Sequence, residues 1–333
     1  MNFLPKFSHI YVEEELAVHP ETKRILARFP ASHVIFIRRY TDVFNRKKQS
    51  FETQMKSQAL ILAKKHGTLL YEGSPVCHRF GAERFFYTTT ALNCMFSCDY
   101  CWLKGIYAGA FIVLFVNTED YFLACKEALK DGPLFLSLSY ETDLFPLEEI
   151  SGHLHRWTEF AKGEETLLAE VRTKSSRTDL LPLFAGHRNL ILSWTLSPEE
   201  IITACEHFTP SLSKRIHAVN EAIALGCSVR LALDPMIHVP GWKSVYESFL
   251  KELSASLEFD GIRDISIGSY RQSDEYQKKM RRRFPDLACA QYPYISESGF
   301  SRYRDHREMT QWLKERLRQF VPEEKIFTLP EDL

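Results

Sequence analysis

The sequence predicts an α/β protein built on a partial (β/α)6 barrel of the TIM type, and three observations carry that expectation. Between about residues 84 and 270, short runs rich in β-branched and aromatic residues alternate with longer segments of helical periodicity. The runs are apolar at nearly every position, as expected of parallel strands covered by helices in a βα barrel or an open doubly wound sheet, and their number favours a barrel that is not complete. The unusual polar residues fall just after these runs, at the strand ends where such barrels hold their chemistry.

Residues 1–80 read as a small α/β unit. A strand over 9–12 precedes a helix over 20–29, then the apolar strand 33–37, a long helix over 45–65 and a strand over 68–71. The run Arg46-Lys47-Lys48 reads as a solvated helix start. Residues 81–270 form the barrel segment, with strands expected over 85–90, 111–116, 134–139, 167–172, 190–195, 229–233 and 265–267. Helices fill the gaps between them, with Asn117, Asp179 and Ser197 as candidate caps and Gly132 as a stop. Residues 271–333 form a C-terminal extension. It carries the basic run 277–283 and then mixes tyrosines with arginines around Tyr292, Tyr294, Arg302 and Arg304, before an amphipathic helix over 306–320. Tyrosines among basic residues suit a nucleic-acid backbone and its stacked bases, and a solvated helix face explains the basic run equally well.

Composition bounds the function class. With 333 residues, 45% of them hydrophobic and 26% charged, the chain is long enough to bury a sizeable core and has ordinary globular usage. A formal net charge of −1 gives no global attraction to nucleic acid or an anionic membrane, so any such surface is a local patch. The N-terminus lacks a signal-peptide pattern, no apolar run is long enough to span a bilayer, and a monomeric cytoplasmic protein is expected. Eight cysteines, three of them clustered, fit metal use in a reducing compartment better than a disulfide framework.

That cluster is Cys94, Cys98 and Cys101, in a loop between two expected strands. Thiolates spaced Cys-x3-Cys-x2-Cys can hold three irons of a [4Fe–4S] cluster and leave the fourth open to an exogenous ligand. The alternatives are a zinc site completed by a distant residue such as Cys77 or His78, or unligated buried cysteines; zinc more often uses a pair of Cys-x2-Cys units, and the chain has one such unit only. Polar residues after the other strands converge on the same face: Tyr140, Glu141, Thr142 and Asp143, then Arg172 and Lys174, Thr195 and Asp234. The remaining cysteines, at 77, 125, 205, 227 and 289, read as packing residues, with Cys289 the one placed to reach the site from the tail. His153 and His155 read as residues of a solvated helix, and His238 as a loop anchor.

The cysteine spacing, with an aromatic residue before the third cysteine, resembles the signature of radical S-adenosylmethionine enzymes. The stretches Leu212-Ser213-Lys214-Arg215-Ile216 and Pro235-Met236-Ile237-His238-Val239-Pro240-Gly241-Trp242 extend the likeness over nearly the whole chain, to the spore photoproduct lyase family. That resemblance implies a [4Fe–4S] cluster that reduces S-adenosylmethionine to give a 5′-deoxyadenosyl radical, used to split a cross-linked thymine pair in DNA. It also implies a small redox protein such as flavodoxin or ferredoxin as electron donor. Carried over residue by residue, Cys94, Cys98 and Cys101 match the cluster ligands and Tyr100 the aromatic residue beside the adenine. Thr142, Lys174 and Thr195 match cofactor-contacting positions, while Asp234 stands where a small apolar residue is more usual.

Two departures touch the chemistry. Tyr140 stands where the family has a cysteine that returns hydrogen to the product radical, and Trp102 where it has a relaying tyrosine. A relay rewired through Tyr140 is one consequence, and a different nucleic-acid, peptide or small-molecule substrate is another. The C-terminal segment also reads as shorter than the family's DNA-propping hairpin. A non-catalytic zinc or nucleic-acid-binding module is the alternative from another class.

Overall fold

Six largely apolar runs become one parallel ladder because most of their positions are buried: Leu190–Thr195 is buried at all positions, and Leu134–Ser137 likewise. The structure, a computed structural model, describes residues 5–329; residues 1–4 and 330–333, at the ends of the first and last expected segments, lie outside the described residues. Strands Phe85–Thr88, Leu134–Ser137, Leu167–Thr173, Leu190–Thr195, Ser228–Met236 and Ile262–Ser269 lie side by side in chain order, every neighbouring pair parallel. Strand Leu70–Glu72 adds antiparallel at one edge and Ile326–Phe327 parallel at the other. These two edges are not paired with each other among the described residues, so the sheet stays open, as the partial (β/α)6 barrel requires. Buried leucine, isoleucine and valine side chains, each worth about 1.5–3 kcal/mol, fill the contact between sheet and helices.

A second sheet of order His33–Ile37, His9–Glu13, Leu60–Ala63, Ile112–Phe115, Ala91–Leu92 revises two expectations. The strand expected over 111–116 in the barrel series pairs instead with Leu60–Ala63, in register from Leu60 with Ile112 to Ala63 with Phe115. The helix expected over 45–65 is two short helices, Thr41–Phe44 and Phe51–Lys56, followed by that strand. The four residues of Leu60–Ala63 are buried on both faces at the centre of the sheet, and tertiary pairing overrides their helical periodicity. The helix expected near 179–184 shrinks to the 3-10 turn Leu181–Leu183.

Asn117 is the N-cap residue of helix Thr118–Leu129 as expected, but its side chain makes no capping bond: it accepts from Lys65 N and donates to Lys65 O, tying two strand ends together. Two other cap assignments change. Asp179 pairs with Arg177, and Ser197 donates to Glu206.

The C-terminal extension is folded onto the barrel. Strands Arg271–Ser273, Phe300–Tyr303 and Tyr294–Glu297 form an antiparallel sheet, with the hairpin turn at Ser298 and Gly299 in left-handed conformations. Ser273 caps helix Asp274–Arg283 through Tyr276 N at 3.3 Å. That helix lies directly on Leu103–Ile106, because Gly105 has no Cβ: one placed there would fall 2.7 Å from the Tyr276 Cβ. Much of the basic run is spent on the fold: Arg283 donates to the carbonyls of Lys104 and Tyr107, Lys279 pairs with Glu275, and Arg281 lies over the Tyr294 ring. Arg302 and Tyr303 are buried, and Lys278, Arg282 and Arg304 remain exposed. No helix among the described residues is long and apolar enough to cross a membrane.

Candidate active site

The cysteine loop is fixed from behind. Asn93 takes a left-handed backbone, φ 64°, and its amide donates to the carbonyls of Gly109 and Phe111, which starts the loop at a set angle. Ser97–Cys98 pairs antiparallel with Glu206–His207, and Asp99 N donates to Cys205 O at 2.7 Å. The Tyr100 hydroxyl donates to the buried Glu206 carboxylate, which also receives Arg215 at 2.5 Å and Ser197 at 3.2 Å. Arg215, from the stretch 212–216 singled out in the sequence, is itself fully buried. Lys104 at 3.1 Å and His207 at 3.0 Å hold Asp99 on the outer side.

Cys94, Cys98 and Cys101 are free thiols on the wall of one cavity of about 540 Å³. The Phe96 amide points at the Cys94 sulfur, 3.4 Å away. Burial pushes all three thiols up, Cys94 to about 12, so loading a metal group would release their protons. A single tetrahedral ion bonded at about 2.3 Å would draw its sulfurs to within about 3.8 Å of one another. Among the described residues the group of three such side chains gathered within 4.8 Å is Glu13, Glu15 and His66, in the N-terminal unit, and not the three cysteines. The three thiols are therefore not gathered as closely as one tetrahedral ion would hold them.

The same cavity is lined by Tyr100, Trp102, Tyr140, Thr142, Lys174, Thr195 and Asp234, so the fold brings every sequence-predicted site residue to one place. The Lys174 ammonium lies 5.5 Å from the Tyr100 ring centre and has no ion-pair or hydrogen-bond partner among the described residues. The buried Thr142 hydroxyl also has no partner. A free cation and an unsatisfied hydroxyl beside three thiols are what a zwitterionic, ribose-bearing cofactor would satisfy. Asp143 anchors this wall: its carboxylate accepts from the Thr173 hydroxyl, Lys174 N and Phe145 N, and burial pushes it up to about 6.

Cys77, read from the sequence as a packing residue, lies on the cavity wall with its sulfur 3.5 Å from the Tyr140 hydroxyl. Tyr140 in turn stacks on Tyr87 at 4.0 Å between centroids and meets Trp102 edge-on at 5.3 Å. Burial raises both the Cys77 thiol and the Tyr140 phenol, so each keeps its proton. The signal for Cys77 was its place in an irregular Gly73-Ser74-Pro75 segment just before a barrel strand, with His78 beside it. Cys289 is buried and does not line the cavity, and Cys125, Cys205 and Cys227 are buried as expected.

The histidines separate. His153 is buried, contrary to its expected place on a solvated helix face, whereas the His155 side chain is 61% exposed and pairs with Glu148. His238 stacks on Tyr292 at 3.6 Å and faces Asp305, a link between the barrel and the C-terminal extension. The hairpin contributes Phe300 to the cavity wall.

Comparison with known proteins gives one family. The family model for spore photoproduct lyase matches residues 3–326. Among solved structures, spore photoproduct lyase complexed with dinucleoside spore photoproduct superposes with a TM-score of 0.80 at 18% identity, covering 99% of both chains. A double mutant of that enzyme with bound AdoMet and dinucleoside spore photoproduct gives the same figures. At this identity the likeness shows the fold. No curated protein sequence matches the chain.

Proposed function

Since the chain belongs to the spore photoproduct lyase family, we propose that it is a radical S-adenosylmethionine lyase that returns the spore photoproduct, a cross-linked thymine pair in DNA, to two thymines. The observation that carries this reading is the convergence on one cavity of three free thiols, an unpaired ammonium, an unsatisfied hydroxyl and the line Cys77, Tyr140, Trp102. Cys94, Cys98 and Cys101 would hold the cluster, Lys174 the cofactor carboxylate, and Thr142 and Thr195 its hydroxyl or carboxylate oxygens, beside Tyr100. When bound, the cluster and S-adenosylmethionine supply the electron and the group that takes hydrogen from the substrate.

The chain's own part is to return hydrogen. After the link between the bases breaks, one thymine is short of a hydrogen atom, and the Cys77 thiol gives it: S–H breaks, C–H forms, and the odd electron moves to sulfur. Tyr140, 3.5 Å away, then gives its hydroxyl hydrogen to that sulfur, leaving the odd electron on a ring in edge contact with Trp102. Both donors need their protons, and burial keeps them. Cys77 thus fills the role for which the family uses a cysteine at the position of Tyr140.

The cluster's electron comes from a small redox protein of the flavodoxin or ferredoxin kind. The chain acts as a monomer in the cytoplasm, a reducing compartment that its eight free cysteines support. A second reading keeps the cofactor chemistry but changes the substrate to another nucleic acid, a peptide or a small molecule, and Trp102 and Tyr140 favour it. Anaerobically reconstituted, dithionite-reduced protein given S-adenosylmethionine and dinucleoside spore photoproduct separates the two. Release of thymidine is expected, and accumulation of 5′-deoxyadenosine over an intact lesion would transfer the protein to the second reading.

A further inference from the structure

The segment that carries Cys77 has little structure of its own. Its backbone is held by a turn bond, Cys77 N to Ser74 O at 3.0 Å, and by Gly73 N to Phe85 O at 2.8 Å at its start. What ties its middle to the rest of the molecule is Arg271, at the first position of strand Arg271–Ser273. The Arg271 Nε donates to the carbonyl of Val76, the residue before Cys77, at 3.1 Å. Its two terminal nitrogens grip the Asp234 carboxylate at 2.9 Å each, and Nη1 also donates to Ser269 O at 3.0 Å. His78, the residue after Cys77, places Nε2 3.2 Å from the same carboxylate. The chain thus ties Val76 by a hydrogen bond to one buried ion pair and sets His78 beside the same pair.

The ion pair is built for position. A guanidinium fork on a carboxylate fixes both distance and plane, which a lysine at the same place would not do. Both side chains are less than 10% exposed, and Asp234 lies near the end of a barrel strand, Ser228–Met236. Asp234 stands where a small apolar residue is more usual in the resembling family, and its charge has a use in this chain: it holds the arginine that holds the thiol. Arg271 also pairs, as a strand residue, with Arg302 of the hairpin that brings Phe300 to the cavity. One side chain therefore joins the barrel, the hairpin sheet and the thiol segment.

We propose that Arg271 is a positioning residue for hydrogen return, and that with Asp234 and His78 it sets the Cys77 thiol against Tyr140 and the reacting carbon. The proposal rests on the reading of Cys77 as the hydrogen donor. Hydrogen transfer falls off over fractions of an ångström, so a loosened segment should spoil the return of hydrogen more than its removal from substrate.

The test uses reduced holoenzyme, S-adenosylmethionine and dinucleoside spore photoproduct, and counts thymidine formed per 5′-deoxyadenosine released. Arg271→Lys should lower that ratio by about tenfold or more, as a displacement near 1 Å would. Asp234→Asn, which keeps an acceptor for the arginine, should fall between Arg271→Lys and the parent. In parallel, alkylation of Cys77 by iodoacetamide, read by peptide mass spectrometry on the holoenzyme without substrate, should be faster in Arg271→Lys. A parent-like ratio together with a parent-like alkylation rate in a folded Arg271→Lys variant overturns the proposal. The Cys77→Ala variant isolates the premise: if it keeps the parent ratio, Cys77 is not the donor, whatever Arg271 does. Should Arg271→Lys fail to fold, Asp234→Asn carries both readouts, and a parent-like result there overturns the proposal as well.

Discussion

Replacing Arg215 with methionine should loosen the cluster loop from behind without touching a cysteine. Arg215 and Glu206 form an ion pair with both side chains at 0% exposure, and Glu206 is the acceptor for Tyr100, between the second and third cluster cysteines. Arg215 also donates to the carbonyls of Thr195 and Pro210 and to the Thr209 hydroxyl. Arg215→Met leaves the Glu206 charge buried without its partner, a loss of about 3–5 kcal/mol. For 333 residues the entropy of unfolding is about 0.7 kcal/mol/K, so the melting temperature should fall by about 4–7 °C. Iron bound per chain after anaerobic reconstitution should fall too, because the strand pair Ser97–Cys98 with Glu206–His207 loses its buttress. Adding Glu206→Gln removes the stranded charge and should recover part of both losses, a coupling that a double-mutant cycle measures. Differential scanning calorimetry and iron assay read the outcome. An Arg215→Met protein with parent melting temperature and full iron would refute the claim that this pair supports the loop.

Three further outcomes are expected. Tyr140→Phe removes the hydroxyl that faces Cys77 at 3.5 Å and should slow multiple turnover more than the first turnover, measured by quenched-flow thymidine release; equal first and later rates in the variant and parent would remove Tyr140 from the relay. Lys174→Met should weaken S-adenosylmethionine binding by about tenfold to a hundredfold, the worth of a charged hydrogen bond, in calorimetric titration of the loaded protein, and unchanged affinity would exclude Lys174 as the carboxylate partner. His153 is buried with Nδ1 unsatisfied, and burial lowers its pKa to about 3, so it stays neutral in the folded chain while the unfolded chain takes up a proton below about pH 6.5. Stability is therefore full above pH 6.5 and falls as pH drops from there toward 3, by about 2.5 kcal/mol between pH 6.5 and 4.5 from this group. Denaturant titrations of His153→Leu should show a correspondingly shallower acid slope, and an identical slope would contradict the neutral assignment.

The barrel was legible because its strands are apolar on both faces, a pattern that survives whatever their partners are. The strand Ile112–Phe115 has the same pattern, which is why its membership of the other sheet was not: apolar runs report burial and say nothing of which sheet buries them. The helix expected over 45–65 failed for a related reason, since Leu60–Ala63 continues an apolar periodicity into a segment whose neighbours are strands. At the site, the cysteines and Lys174 could be read from spacing and strand ends. For Cys77 the sequence offered only an irregular segment before a strand, because its contact with Tyr140 spans 63 positions of sequence. Glu206 was equally hidden: its role comes from pairing with Cys98, which no local pattern announces.

The most direct measurement of the central claim is the isotope content of the thymidine released in a first turnover, with holoenzyme equilibrated in D2O so that the Cys77 thiol carries deuterium. The account predicts one deuterium in one of the two thymidines from the parent protein, and loss of that labelled product with Cys77→Ala. Thymidine released by Cys77→Ala at the parent rate, with the same deuterium content, would contradict it.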